Sequence, residues 1–169
     1  SSAASDVYKR QDIFLVGKLI QDPKQVAIYR SASIIPIALF FIPNSYITTH
    51  YTDLAKNSMD KKYLIRFAKD YTKLFSVLAF FLGTVLYFMS DFLISILYGD
   101  EYAEAVYLFQ ILIFGMLGAF ILRIPFGNIL ASVGKSSWNA ILAFIILVFN
   151  GIFNYYAIYA WGIAGAAIV

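Results

Sequence analysis

The sequence predicts an all-α protein, a polytopic bundle of transmembrane helices. Hydrophobic residues make up 61% of the chain and charged residues only 14%, which is too apolar for a domain with a water-covered surface. The longest uncharged stretch runs from Ser136 to Val169. As a single helix it would be roughly 50 Å long, well beyond the ~30 Å hydrocarbon core of a bilayer. We therefore expect it to cross the membrane, turn near Trp161 and Gly162, and begin to cross back.

Uncharged stretches along the chain predict about four complete spans and a partial span at each end. The complete spans are predicted at residues 31–49, 74–98, 105–126 and 137–158, and the next one starts at 162–169. Each complete span has about the length that one helix needs to cross a bilayer. Residues 13–20 have the character of the end of an earlier span. We therefore expect residues 12–169 to be a transmembrane fragment of a longer protein.

The first residues of the chain, 1–11, are polar and lack the apolar segment of a signal peptide. Their string, SSAASDVYKRQ, resembles translated adapter sequence. We expect a non-native or disordered terminus here, with a natural polar terminus as the alternative.

A basic connector, residues 50–73, separates the first two complete spans. Its basic residues are Lys56, Lys61, Lys62, Arg66, Lys69 and Lys73. The positive-inside rule places this connector in the cytoplasm. Leu64, Phe67 and Tyr71 recur at helical spacing, which predicts an amphipathic helix at the cytoplasmic interface that runs into the second span. Its basic face either binds anionic lipid or a partner enzyme, or is a plain solvated connector.

Several classes of function are disfavoured by the composition. The chain has no cysteine and one histidine, so we expect no disulfide, no thiol chemistry, no metal site and no cofactor. The spans contain neither a deep carboxylate nor a Ser/His/Asp set, so we do not expect an enzyme. The net charge of +3 comes from basic residues that flank apolar spans, a pattern of membrane topology, so we expect the lipid bilayer as a partner and no nucleic acid.

An asparagine stripe is the first polar feature inside a predicted span. Asn139, Asn150 and Asn154 fall within about 60° of one another on a helical wheel. Polar groups inside a membrane are costly, which makes them candidates for function. One interpretation is a water-filled cavity where the amides bind sugar hydroxyls. The other is hydrogen bonding between helices that holds the bundle together.

Two prolines in the first complete span are the second candidate feature, because each one frees a polar backbone group. Pro36 and Pro43 each remove a backbone donor, which frees the carbonyls of Ala32 and Leu39. Interrupted helices often form gates or binding sites in transporters, so both prolines are candidates for a kink or gate. A static kink is the alternative. Asn44 follows the second proline and is expected to satisfy a freed group.

A charged residue in the third complete span is the third candidate feature. Arg123 is expected about one turn from the cytoplasmic end, where its side chain can extend to the lipid headgroups. The alternative is that it faces the cavity and binds a pyrophosphate or an anionic sugar. In the same span Gly115 and Ala119 form a pair of small residues, which predicts a close approach of another helix.

Four strings at successive helix ends resemble the oligosaccharide flippases of the multidrug/oligosaccharidyl-lipid/polysaccharide exporter superfamily, the Wzx-type polysaccharide transporters, in their carboxyl-terminal lobe. They are Val26–Ala32 (VAIYRSA), Leu97–Tyr102 (LYGDEY), Leu130–Lys135 (LASVGK) and Gly162–Ala167 (GIAGAA). The resemblance covers residues 12–169.

This resemblance implies one six-helix lobe of a two-lobe transporter in the inner membrane of a bacterium or archaeon, with a missing amino-terminal lobe as its partner. It implies a substrate, an undecaprenyl-diphosphate-linked oligosaccharide repeat unit, that is flipped for O-antigen or capsule assembly by alternating access. The cavity arginines and lysines of such flippases are represented only by Arg123. Alternative functions are a multidrug extruder or a peptidoglycan-precursor flippase of the same superfamily and, from another class, a membrane-embedded glycan polymerase or ligase.

Overall fold

A computed structural model of the chain describes residues 16–19 and 22–168, apart from the side chains of residues 136 and 139. The predicted terminus at residues 1–11 lies outside the described residues. The described chain consists of helices and short turns, without strands. Its helices are α1 (Pro23–Leu39), α2 (Phe41–Lys56), α3 (Lys61–Phe88), α4 (Ser90–Tyr98), α5 (Glu104–Gly118), α6 (Ile124–Ser132), α7 (Ser136–Trp161) and α8 (Ile163–Ile168). A 3-10 turn occupies Asp100–Tyr102, and a π-helical segment at Ala119–Arg123 joins α5 to α6.

Four helical stretches of the described chain are long and apolar enough to cross a membrane. They are Pro23–Lys56, Lys61–Phe88, Glu104–Ser132 and Ala140–Trp161. The predicted fold class, an all-α polytopic bundle, is confirmed.

The basic connector is divided by a helix start. Residues 50–56 belong to α2, and the carboxylate of Asp60 accepts hydrogen bonds from the backbone N–H groups of Lys62 (2.9 Å) and Tyr63 (3.1 Å). A side-chain oxygen in this position satisfies donors that the first turn of a helix leaves unpaired. Helix α3 therefore begins at Lys61, and it continues to Phe88 without a break.

Helix α3 runs antiparallel to the α5–α6 stretch. At one end of this pair the Tyr71 hydroxyl donates to the Phe120 carbonyl (3.1 Å), and beyond the other end Gln110 Nε2 donates to Oγ of Ser90, the first residue of α4 (2.8 Å). Helix α1 packs mainly on α5, and α2 packs on α6. The three stretches form the centre of the bundle, and their shared core contains the largest fully buried rings of the described residues.

Helices α3 and α5 approach each other closely at Gly83. A Cβ atom added there would lie 3.0 Å from Leu117 Cδ1, whereas one added at Gly115 would meet nothing within 4 Å. The predicted close approach at Gly115 and Ala119 is thus wrong for the described helices. The small residue that admits a neighbour belongs to the opposite helix, because Gly115 is on the exposed side of α5.

Helix α7 lies at the edge of the bundle. It packs mainly on α6 and on α8, and large side chains such as Phe144 and Tyr156 are exposed on it. The turn between α7 and α8 is at Gly162, whose φ of 60° is accessible to glycine without strain. Helix α8 then contacts α1, where the Tyr29 hydroxyl donates to the Ala166 carbonyl (3.3 Å).

Candidate functional site

Two interrupted helices meet inside the bundle at the same level. The stretch Pro23–Lys56 is broken at Phe40, between α1 and α2. The stretch Glu104–Ser132 is distorted at the π-helical segment. The rings of Phe40 and Phe120 contact each other there, with their centroids 5.6 Å apart. We call this contact level the hinge layer.

The break at Phe40 follows from the second proline. Pro43 has no N–H for the carbonyl of Leu39, and α1 ends at that residue. The Phe40 N–H instead donates to the Ile37 carbonyl (3.2 Å), and the Asn44 side-chain amide donates to the Phe40 carbonyl (2.7 Å). The Phe40 carbonyl also accepts from the Asn44 backbone N–H (3.2 Å), so the Asn44 side chain adds a second hydrogen bond there and satisfies neither of the carbonyls expected to be freed. Pro36 is buried one turn before the break.

The distortion of the other helix leaves one carbonyl without its backbone donor. The Ile124 N–H donates to the Ala119 carbonyl, which is the hydrogen bond of a π-helix. In the same register the Phe120 carbonyl would accept from residue 125, and Pro125 has no N–H. The Tyr71 hydroxyl, fully buried on α3, supplies the missing donor at 3.1 Å. The bulge is therefore stabilised from a neighbouring helix.

An aromatic cluster surrounds the hinge layer. The Tyr71 and Phe75 rings are stacked with centroids 4.2 Å apart, and the Tyr46 ring stands edge-on to both at 5.7 and 5.4 Å. His50 stacks on Tyr46 at 4.3 Å, and its Nδ1–H donates to the Tyr46 carbonyl (2.9 Å). Contacts of this kind add about 0.5–1.5 kcal/mol each beyond area burial. The cluster joins α2 firmly to the first half of α3.

The hinge layer divides the bundle into two halves. Helices α1 and α5 pack together on one side of it, and α2 and α6 pack together on the other. Helix α3 passes this level without a break. A bend at Phe40 and at the π-helical segment would therefore move α2 and α6 as a pair relative to α1 and α5.

Two residues of the predicted asparagine stripe, Asn150 and Asn154, contact each other. Asn154 is 0% exposed, and its Nδ2 donates to Oδ1 of Asn150, which is half-buried. Both residues lie on α7, so this hydrogen bond follows the helix axis. Ala157 and Ile158, one turn further on, are covered by α8. The side chain of Asn139 lies outside the described residues.

Arg123 is exposed in the π-helical segment. Its helix continues to Ser132, so Arg123 lies about two and a half turns before the helix end and not one turn before it. Because α3 is antiparallel and Tyr71 meets Phe120, Arg123 is level with the part of α3 that carries Lys69 and Lys73. It therefore belongs to the basic end of the bundle.

A groove on α7 is the other candidate site of the described residues. A shallow groove is lined by α7 residues alone, namely Leu147, Val148, Gly151, Ile152, Tyr155 and Tyr156. It does not include the asparagines. Among residues 16–19 and 22–168 no group of His, Cys, Asp or Glu is arranged to hold a metal ion.

A family model described as "Polysaccharide biosynthesis protein" matches residues 2–107 of the chain. The chain belongs to this family. No match was found among curated proteins or among solved structures. Together with the four apolar helices, membership indicates a polysaccharide-related membrane transporter.

The matched range includes the hinge-layer residues of α1 to α3 and excludes those of the π-helical segment. Phe40, Asn44 and Tyr71 lie inside the matched range, whereas Phe120 and Arg123 lie beyond it. Sequence reasoning missed Tyr71 and Phe120 as a pair. Pro125 was the available signal, since a proline within a span requires some other donor to replace its N–H.

Proposed function

We propose that this polysaccharide biosynthesis protein is one lobe of a transporter that flips lipid-linked oligosaccharide repeat units across the inner membrane. The substrate class is an undecaprenyl-diphosphate-linked oligosaccharide for O-antigen or capsule assembly. The protein uses no covalent chemistry and is not an enzyme. Its partners are the bilayer, the substrate and the amino-terminal lobe of the same protein, and the basic end of α3 faces the cytoplasm.

The observation that carries this proposal is the hinge layer in a member of this family. A glycan head group cannot cross hydrocarbon unaided, so a flippase must open a polar path alternately to each side. Rocking of helices about interrupted segments is the common structural device for such opening. The contact between the break at Phe40 and the π-helical distortion at Phe120 supports such a device here.

Polar groups for the head group are present on α7 and at the basic end of the bundle. Asn150 is half-buried in α7, and Arg123 is exposed at the basic end. Amide groups bind sugar hydroxyls, and a guanidinium binds diphosphate oxygens in a bidentate manner. In the proposed cycle Arg123 receives the diphosphate from the cytoplasmic side, and Asn150 contacts the sugars.

Translocation in proteoliposomes tests this proposal. The full-length protein that carries this chain is reconstituted with a fluorescent lipid-linked oligosaccharide, and a glycosidase added outside reports the fraction that becomes accessible. We expect accessibility to rise with the protein and the Arg123→Ala variant to be slower by roughly tenfold, which corresponds to ~1.4 kcal/mol. Movement of a cationic dye or a peptidoglycan precursor, without movement of the oligosaccharide, would contradict the proposal and favour the other transporters of the superfamily.

A further inference from the structure

A stripe of cations runs along one face of α3 at its start. Lys62, Arg66, Lys69 and Lys73 are all exposed, and at 100° per residue they fall within about 60° of one another. We call this set the basic stripe. In the described part of the chain none of its side chains has an ion-pair partner. The stripe therefore presents a concentration of positive charge.

The same face of α3 becomes apolar directly after the basic stripe. Val77 and Phe80 continue the line of Lys69 and Lys73, and they are 68% and 75% exposed. Large apolar side chains with this exposure on a membrane-spanning helix are in contact with lipid tails. The opposite face, with Phe67, is buried against α2. The basic stripe thus points to the lipid side of the bundle and not to its interior.

From these two observations we infer that the basic stripe is a binding site for the headgroups of anionic phospholipids. The side chains from Lys62 to Lys73 extend over roughly 16 Å along the helix, which is enough to reach from the edge of the hydrocarbon through the headgroup layer. Each Lys or Arg near an anionic membrane surface favours association by about fivefold. The acyl chains of the bound lipids lie against Val77 and Phe80. This inference does not depend on which substrate the protein moves.

Charge complementarity favours lipid over a protein partner. Asp70, the acidic residue nearest in sequence, lies about 70° away from the centre of the basic stripe on the helical wheel, so it leaves the line of cations uninterrupted. The exposed apolar residues that continue the face match acyl chains. An acidic protein segment would leave these apolar residues without a partner.

Lipid-selective quenching tests the inference in the full-length protein. This chain has no cysteine, so once any cysteine in the rest of the full-length protein is replaced, a single Ile65→Cys carries a fluorophore beside the basic stripe, at a position that is 56% exposed. Vesicles contain phosphatidylcholine and phosphatidylglycerol, with a quencher on one or the other. We expect phosphatidylglycerol to associate about fivefold more strongly than phosphatidylcholine near the label, and this preference to fall in 1 M salt, where the screening length is about 3 Å.

A variant with all four stripe cations changed to Gln should show equal association of the two lipids. The matched control removes the same number of charges elsewhere, and its exposed positions are Lys18, Lys24, Arg30 and Lys135. This control should keep the preference. Equal association in the unchanged protein, or the same loss in both variants, would overturn the inference. Displacement of phosphatidylglycerol by an equimolar polyprenyl diphosphate would also overturn it, because the site would then belong to the substrate.

Discussion

The hydroxyl of Tyr71 donates a 3.1 Å hydrogen bond to the carbonyl oxygen of Phe120, across two helices. The carbonyl needs this donor because the Ile124 N–H is taken by Ala119 and residue 125 is proline. An unsatisfied backbone carbonyl in a dry interior costs about 1–3 kcal/mol. The bulge at the hinge layer is thus coupled to α3 through one side chain.

Replacement of Tyr71 by Phe should destabilise the protein by about 1–3 kcal/mol, because it removes the donor and keeps the ring. The thermal unfolding midpoint in detergent measures this effect. Tyr107→Phe is the control, since Tyr107 is 60% exposed and its hydroxyl holds no bulge carbonyl. An equal shift in both variants would show that the hydroxyl of Tyr71 does not support the bulge.

A double-mutant cycle makes the same prediction sharper. Pro125→Ala returns an N–H to the helix, so the Phe120 carbonyl regains a backbone donor. The cost of Tyr71→Phe should then fall by at least half in the Pro125→Ala background, which is a coupling of the size found for neighbouring groups, about 0.5–3 kcal/mol. Additive effects would refute this account of the bulge.

The close approach of α3 to α5 predicts different costs for two glycines. Gly83→Val should destabilise by about 1–3 kcal/mol, because an added Cβ would lie 3.0 Å from Leu117 Cδ1, closer than van der Waals contact. Gly115→Val makes the same chemical change where nothing lies within 4 Å, so only the shared loss of helix propensity remains. Unfolding midpoints of the two variants decide this, and a smaller shift for Gly83→Val would contradict the observed packing.

The asparagine pair on α7 predicts unequal exposure to water. In the full-length protein, Asn150→Cys should react with a water-soluble thiol reagent. Asn154→Cys should react at least tenfold more slowly, which corresponds to a difference of ~1.4 kcal/mol in activation free energy. Addition of Gly165→Ala should raise the reactivity at Asn154, because a Cβ there would lie 2.0 Å from the Ala157 carbonyl oxygen and must displace α8. Phe149→Cys, at an exposed position of α7, is the control. An unreactive Asn150→Cys would exclude a water-filled cavity at that residue.

The fold class and the number of membrane-crossing helices were predictable from the sequence, and some local structure was not. Charge-free stretches reveal spans because lipid excludes charge. The basic connector is divided at Asp60, whose carboxylate caps the start of α3. The positions of the charges alone do not reveal this helix start. Pro43 in the sequence predicts an interruption near Phe40. The π-helical bulge was not predictable in this way, because it depends on a hydrogen-bond donor from another helix.

The candidate site was predicted in its parts and not in its arrangement. Helical spacing placed Asn150 and Asn154 on one face of α7, and the hydrogen bond between their amides agrees with that spacing. Spacing alone does not reveal what covers a face, and here α8 covers the end of it. The level of Arg123 depends on the register between α3 and α5, which is fixed by contacts such as Tyr71 with Phe120.

Orientation of the basic end is open to a direct test. A reporter enzyme fused after Asp60 lies in the turn between α2 and α3. The excess of Lys and Arg around it predicts a cytoplasmic readout. A fusion after Gly99, at the opposite end of α3 and α4, should give the periplasmic one. A periplasmic signal from the first fusion would reverse the proposed direction of substrate entry.

Distance measurements across the hinge layer are the sharpest test of whether α2 and α6 move relative to α1 and α5. In the full-length protein, spin labels at Tyr51→Cys in α2 and Phe114→Cys in α5 report the movement of one half against the other, at exposed positions. Labels at Ile34→Cys in α1 and Phe114→Cys in α5 report within the other half. Addition of the lipid-linked oligosaccharide should change the first distance distribution by several ångströms, as expected for hinge motion, and leave the second unchanged. An unchanged first pair, or equal changes in both pairs, would contradict a hinge at Phe40 and Phe120.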